Sequence, residues 1–254
     1  MLRHNLLLIY RGFLRAKSYF LINLFGLSAG LICTVLIYLW VNDELKMDKF
    51  HEKDGRLFQV MEHQTYADDI WTITSTPGLL AETLKEEVPE VEFAATTTWI
   101  SPYTLSIGDH NVKAEGYHVG SDFFNIFSYG LTEGDPSQVL VDKYSMVISR
   151  ELAKKLFKTD ENAIGKTVEL QHEKSFTVTG IFEKIPGSSS YQFDFVMPFE
   201  EYKAENEWVR SWGSNGPSTY VILVEGSDAS AVSEKIKDFV KARNEQSNER
   251  NSEA

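Results

Sequence analysis

The chain has 254 residues, with 25 Lys and Arg against 37 Asp and Glu, and a formal charge of −12 at pH 7. Such an acidic balance argues against a nucleic-acid partner, whose phosphates call for a basic stripe. With a single cysteine no disulfide can form within the chain, so any fold must be held by its own apolar core.

Residues 1–19 contain Arg3, Arg11, Arg15 and Lys17 and no acidic residue. Leu6, Ile9, Tyr10, Phe13 and Leu14 recur at helical spacing. That pattern fits a short amphipathic helix lying in a membrane surface, with the arginines on lipid phosphates, and it equally fits the charged lead-in of any anchor. Residues 20–41, FLINLFGLSAGLICTVLIYLWV, contain no Asp, Glu, Lys, Arg, His or Pro. As a helix they reach about 33 Å, slightly more than the roughly 30 Å hydrocarbon core of a bilayer. A cleaved signal peptide is the competing reading. The run exceeds the roughly 7 to 15 residues of a signal core, and bulky Tyr38, Leu39, Trp40 and Val41 stand where small residues would mark cleavage. Cys33 is no lipoprotein acceptor, because Leu31 and Ile32 precede it. The stretch reads as an uncleaved transmembrane helix. Within it Gly26 and Gly30 form G-x-x-x-G, with Ser28 nearby, a spacing that lets a second helix approach closely, although glycine is common in membrane helices in any case.

The flanks set the orientation. Before the span every charge is basic; after it Asp43, Glu44 and Asp48 alternate with Lys46 and Lys49. The positive-inside rule keeps the N-terminus in the cytoplasm and sends the rest across, so that the exported part carries all 37 acidic residues.

Beyond Asp48 the chain is long enough for one large or two small domains. LFQVMEH, from Leu57, reads as one strand. Thr76 is expected to cap a helix that has Pro77 at its first position, with Leu80, Leu84 and Val88 on one face and a stop at Pro89. Strands follow over residues 103–107 and 112–119, divided by a turn at Gly108 and Asp109. SDFFNIFSYGLTEGDP opens a second unit, in which Ser149 caps ELAKKLF and Leu152, Leu156 and Phe157 form an apolar stripe. VEL, FTVTGIFE and, after a turn over residues 186–190, YQFDFVMPF read as strands. TYVILVEG is a last strand, followed by one helix bearing Val232, Ile236, Phe239 and Val240 on a single face. Residues 242–254 are polar and read as a frayed tail.

Chemistry is sparse. Gly165-Lys166-Thr167 resembles the end of a phosphate loop, but Asp160 stands where that loop needs a glycine. His4, His51, His63, His110, His118 and His172 make no metal spacing, and Ser188-Ser189-Ser190 lacks the G-x-S-x-G frame of a nucleophile elbow. No catalytic residue, metal or cofactor is expected, and no stretch is an evident pocket.

Four stretches, RGFLRAKSYFLINLFGLSAGL, DELKMDKFHEKDGRLFQV, FFNIFSYGLTEGDPSQVL and VISRELAKKLFKTDENAIGKTVEL running on to FTVTGIFEKIP, resemble in order and separation the MacB-like periplasmic core domain of FtsX-type ABC transporter permeases. The likeness runs from about Arg3 to about Val240 and is weakest over residues 201–218. It implies an α+β fold, in which one N-terminal transmembrane helix is followed by a two-subdomain periplasmic domain over residues 49–241. A β-α-β-type subdomain of residues 50–120 and 218–241 would carry a mixed αβ insertion of residues 121–217. It also implies a non-enzymatic permease in a bacterial inner membrane, which couples ATP hydrolysis by a cytoplasmic ATPase subunit or domain to movement of periplasmic domains in efflux or lipoprotein and lipid handling. Its implied partners are that ATPase, a second permease copy, a periplasmic adaptor and membrane lipid. Family members continue into three further membrane helices, so the chain looks like the N-terminal part of a permease or a truncated copy, and Met1 points to the first of two repeats. A membrane-anchored sensor or ligand-binding module is the rival reading, although a sensor needs an output domain and only about nineteen residues face the cytoplasm. An anchored hydrolase lacks an assembled acid, base and nucleophile.

Overall fold

The computed structural model describes Arg11 and residues 17–66, 69–158 and 162–253. The chain divides into two compact units, one ending at Met47 and one beginning at Asp48. The amphipathic segment expected over residues 1–19 falls almost wholly outside the described residues. Helix α1, Lys17–Glu44, contains the apolar run and extends a few residues past both of its ends, where no proline or glycine stops it. None of its residues is buried, and it is long and apolar enough to cross a membrane.

The second unit is organised by one ten-stranded sheet. Its strands are β1 (Leu57–Val60), β4 (Val91–Thr97), β5 (Ser101–Ile107), β6 (His110–Val119), β7 (Leu131–Glu133), β8 (Ser145–Ser149), β9 (Thr167–Leu170), β10 (Lys174–Phe182), β11 (Phe195–Pro198) and β12 (Ser218–Leu223). A separate hairpin is made by β2 (Glu62–Tyr66) and β3 (Asp69–Ile73). The helices are α2 (Leu80–Glu87), α3 (Phe123–Ile126), α4 (Arg150–Phe157), α5 (Phe199–Glu205), α6 (Ala229–Ile236) and α7 (Phe239–Glu253).

The order β6-β11-β8-β10-β9-β5 closes on itself, because β5 also pairs with β6 along its whole length. Six strands thus form a barrel without a free edge. A two-residue turn sets the β5/β6 register, with Ile107 opposite His110, and Gly108 supplies the φ of +56° that it needs. Leu105, Met146, Ile148, Phe176, Val178 and Phe195 fill the barrel, and α4 closes it with Leu152, Ala153 and Leu156. Ser149 caps α4 as expected, its hydroxyl accepting from the Leu152 N–H at 3.1 Å. Gly116 faces Phe195 across the β6/β11 ladder, and any Cβ there would collide with the buried ring. Gly116→Ala is therefore expected to destabilise the fold by about 1 to 3 kcal/mol through overpacking. An unchanged thermal midpoint would contradict this.

From β6 the sheet runs on as β4, β12 and β1. One face packs on an aromatic cluster in which Phe123 of α3 meets Tyr117, Phe127 and Tyr129 with ring centroids 5.0 to 5.8 Å apart. Burial raises the Tyr129 phenol to about 12, against a lowering by its hydrogen bond with Ser189. The other face is covered by α2, α6 and the start of α7. The polar turn over residues 186–190 holds the start of the unit, because Asp48 accepts from the Ser190 N–H and hydroxyl at 2.8 and 2.5 Å.

Several expectations differ from this structure. LFQVMEH is two strands in different sheets: β1 ends at Val60, opposite Thr219, just where Pro217 beyond β12 has no N–H to continue the ladder. Thr76 caps nothing. It is buried, its hydroxyl shared with Thr219 at 2.8 Å and Pro217 O at 3.3 Å, and α2 begins only at Leu80. The last helix is two, α6 and α7, broken at Lys237 and Asp238. The expected frayed tail is helical to Glu253, because α7 is seeded by Phe239 and Val240 on the core and by Arg243, which lies over the Trp212 and Phe239 rings and pairs with Glu87.

Candidate functional site

Gly26 and Gly30 lie one turn apart on α1, and among the described residues nothing beyond the helix's own neighbouring backbone lies within 4 Å of where a Cβ would be. The Thr34 hydroxyl donates to the Gly30 carbonyl at 2.8 Å, so the small-residue face hides no unsatisfied hydroxyl there. The result is a smooth strip of backbone on an exposed apolar helix.

In the second unit the structure contains what the sequence did not disclose, a cavity of about 390 Å³. Its walls come from β1, the base of the β2/β3 hairpin, α2, β12, α6 and α7. β12 is buried on both faces. Tyr220 and Ile222 enter the aromatic cluster, while Val221 and Leu223 point the other way and line the cavity. Val232 is brought beside them by α6, whose start is capped by Asp228 accepting from the Ser230 N–H at 2.8 Å. Buried Leu80, Leu223 and Val232 make the floor; exposed Met61, His63, Lys237 and Lys241 stand at the rim. Such a cavity binds by apolar contact, with polar selection confined to its mouth.

A second feature is a buried charge cluster. Glu201 of α5 is 3% exposed; it accepts from His118 Nε2 of β6 at 2.9 Å and from Lys174 Nζ of β10 at 2.5 Å. Lys174 also pairs with Glu205. Burial pushes the Glu201 carboxyl up, but the hydrogen bonds from His118 and Lys174 prevail and hold it at about 2. With Nε2 donating, His118 Nδ1 is buried without a partner among the described residues. The cluster ties α5 to the barrel. It does not assemble a nucleophile with a base, and no group of three or more His, Cys, Asp or Glu among the described residues could hold a metal. In the sequence His118 is one of six histidines without a metal spacing, and nothing marks it further, because its two partners lie 56 and 83 positions away.

Solved structures share this fold. A domain assigned to a permease protein from Porphyromonas gingivalis matches with a TM-score of 0.66 and 24% identity, over 76% of this chain and 83% of that one. The periplasmic region of MacB from Actinobacillus actinomycetemcomitans matches with a TM-score of 0.55 and 18% identity, over 74% and 84%. A search of curated proteins gave no match. The fold is that of the periplasmic region of a MacB-type permease. The chain belongs to the family of MacB-like periplasmic core domains, whose model matches residues 20–239.

Proposed function

We propose that the chain supplies the first membrane helix and the periplasmic domain of an ABC transporter permease. It works with a cytoplasmic ATPase and a second permease copy, and turns ATP hydrolysis into movement of the periplasmic domain during efflux or lipid and lipoprotein handling. The observation that carries this reading is the family match itself, which takes in most of the apolar helix as well as the domain. The barrel suits the task, since a closed, fully packed sheet moves as a rigid body. Gly26 and Gly30 are the proposed contact for another membrane helix. The acidic exterior and the basic lead-in support a domain outside the cytoplasm and an N-terminus inside.

A reporter active only outside the cytoplasm, fused after Lys241, is expected to be active, with the protein uncleaved in the membrane fraction. The complete permease is expected to retain an ATPase on purification in mild detergent. A processed soluble product, or a permease that never recovers an ATPase, would overturn the proposal.

A further inference from the structure

We propose that the cavity between β1, the β2/β3 hairpin and helices α6 and α7 binds an amphiphile with one apolar chain and one anionic head group. The chain lies on Leu80, Leu223 and Val232, and the head is held by Lys241. This inference does not rest on the permease reading, because the cavity is built wholly from the second unit.

The floor determines the class of the body. Leu80, Leu223 and Val232 are 2%, 4% and 6% exposed and present no polar atom. Thr76, the buried polar residue of the lining, has its hydroxyl engaged by Thr219 and Pro217. A sugar, nucleotide or peptide backbone laid on these three side chains would lose its hydration and find no hydrogen-bond partner among them. A hydrocarbon chain loses nothing and gains about 25 cal/mol per Å² of apolar surface removed from water. The volume of about 390 Å³ lies at the small end of ligand sites and accommodates a single chain.

The mouth determines the head. In a chain of net charge −12, this rim gathers His63, Lys237 and Lys241. Lys237 is neutralised by Glu234, and Glu62, the carboxylate in the lining, accepts from Asn215 at 2.6 Å and from Gln64 at 3.4 Å. His63 is hydrogen-bonded to Thr72 at 2.9 Å. Lys241 is exposed and has no partner among the described residues, so it is the cation left for a ligand. Its position follows from the break between α6 and α7, which places Phe239 and Val240 on the same wall one turn after Ile236. An ammonium at the edge of a hydrocarbon slot selects an anionic head over a neutral or cationic one.

A free fatty acid and an anionic lysophospholipid share this chemistry. The test uses the full chain in nanodiscs of zwitterionic lipid, a fatty acid with a photoreactive diazirine in its chain, and mapping of the labelled peptides by mass spectrometry. Label is expected on residues 58–63 and 229–241. Lys241→Glu is expected to lower that label about tenfold, as the loss of one charge-assisted hydrogen bond would. Val232→Trp, which fills the slot, is expected to abolish it; circular dichroism reports whether that variant keeps its fold, and the exposed Lys241 site decides the matter if it does not. Unlabelled fatty acid and lysophosphatidylglycerol are expected to compete, the stronger of the two naming the source, while a fatty alcohol of equal length competes poorly. Label confined to residues 17–44, label indifferent to Lys241→Glu, or equal competition by the alcohol would overturn the proposal.

Discussion

Glu201→Ala is expected to lower the stability of the periplasmic unit by about 3 kcal/mol, because it leaves the buried His118 imidazole and the Lys174 ammonium without their shared carboxylate. The loss stands at the low end for a broken buried pair, since Lys174 keeps Glu205. For a unit of about 200 residues this corresponds to a fall in thermal midpoint of about 6 to 12 °C. The dependence on pH has a definite sign. The Glu201 carboxyl is held at about 2 in the fold against an ordinary value of 4.5. Its contribution is therefore fully present above about pH 4.5 and is lost as pH falls from there towards 2. Melting of the full chain in nanodiscs checks both statements. The gap between wild type and Glu201→Ala should be widest near neutral pH, narrow below about pH 4.5 and close towards pH 2; a gap that is absent at pH 7, or that grows on acidification, would show that the cluster does not anchor α5.

Replacing Gly26 and Gly30 together by Leu is expected to abolish export by the complete permease while leaving the melting of the periplasmic unit unchanged. Among the described residues no atom beyond the helix's own neighbouring backbone lies within 4 Å of either missing Cβ, so the new side chains meet no packed neighbour within the chain there. The expected loss comes from the proposed partner helix being held off by the new side chains. Dispersion attraction fades over a separation of about 1 Å, and the close backbone approach that weak Cα hydrogen bonds need is removed. Export measured beside domain melting separates the outcomes. Normal export would mean that the glycines face lipid, and lost export with a destabilised domain would mean that the helix supports folding.

The two features differ in how far the sequence shows them. The glycines are a local pattern, legible in five residues of an apolar run. The charge cluster is assembled from β6, β10 and α5, and each of its residues, read in place, looks like an ordinary polar position on a strand or helix. The cavity is hidden for a related reason. Val221 and Leu223 lie in an expected strand and Val232 on the apolar face of an expected helix, but that they stop short of closing depends on where the hairpin and α7 settle.

What the amino-acid order determined by itself was whatever is decided within a few residues: the uninterrupted apolar helix, the Ser149 cap, the Gly108 turn and the buried stripe of Leu80, Leu84 and Val88. These depend on side-chain period, on orphan N–H groups and on backbone φ, which act at short range. Tertiary structure alone decided the rest. Barrel closure rests on β9 finding β5, some 65 residues earlier in the chain. Thr76 is drawn from its expected cap by Thr219, and the polar end becomes helix because Phe239 and Arg243 are pinned against Trp212. Each outcome is a competition between a weak local preference of about 1 kcal/mol and burial or pairing with distant partners, and the distant partners prevailed.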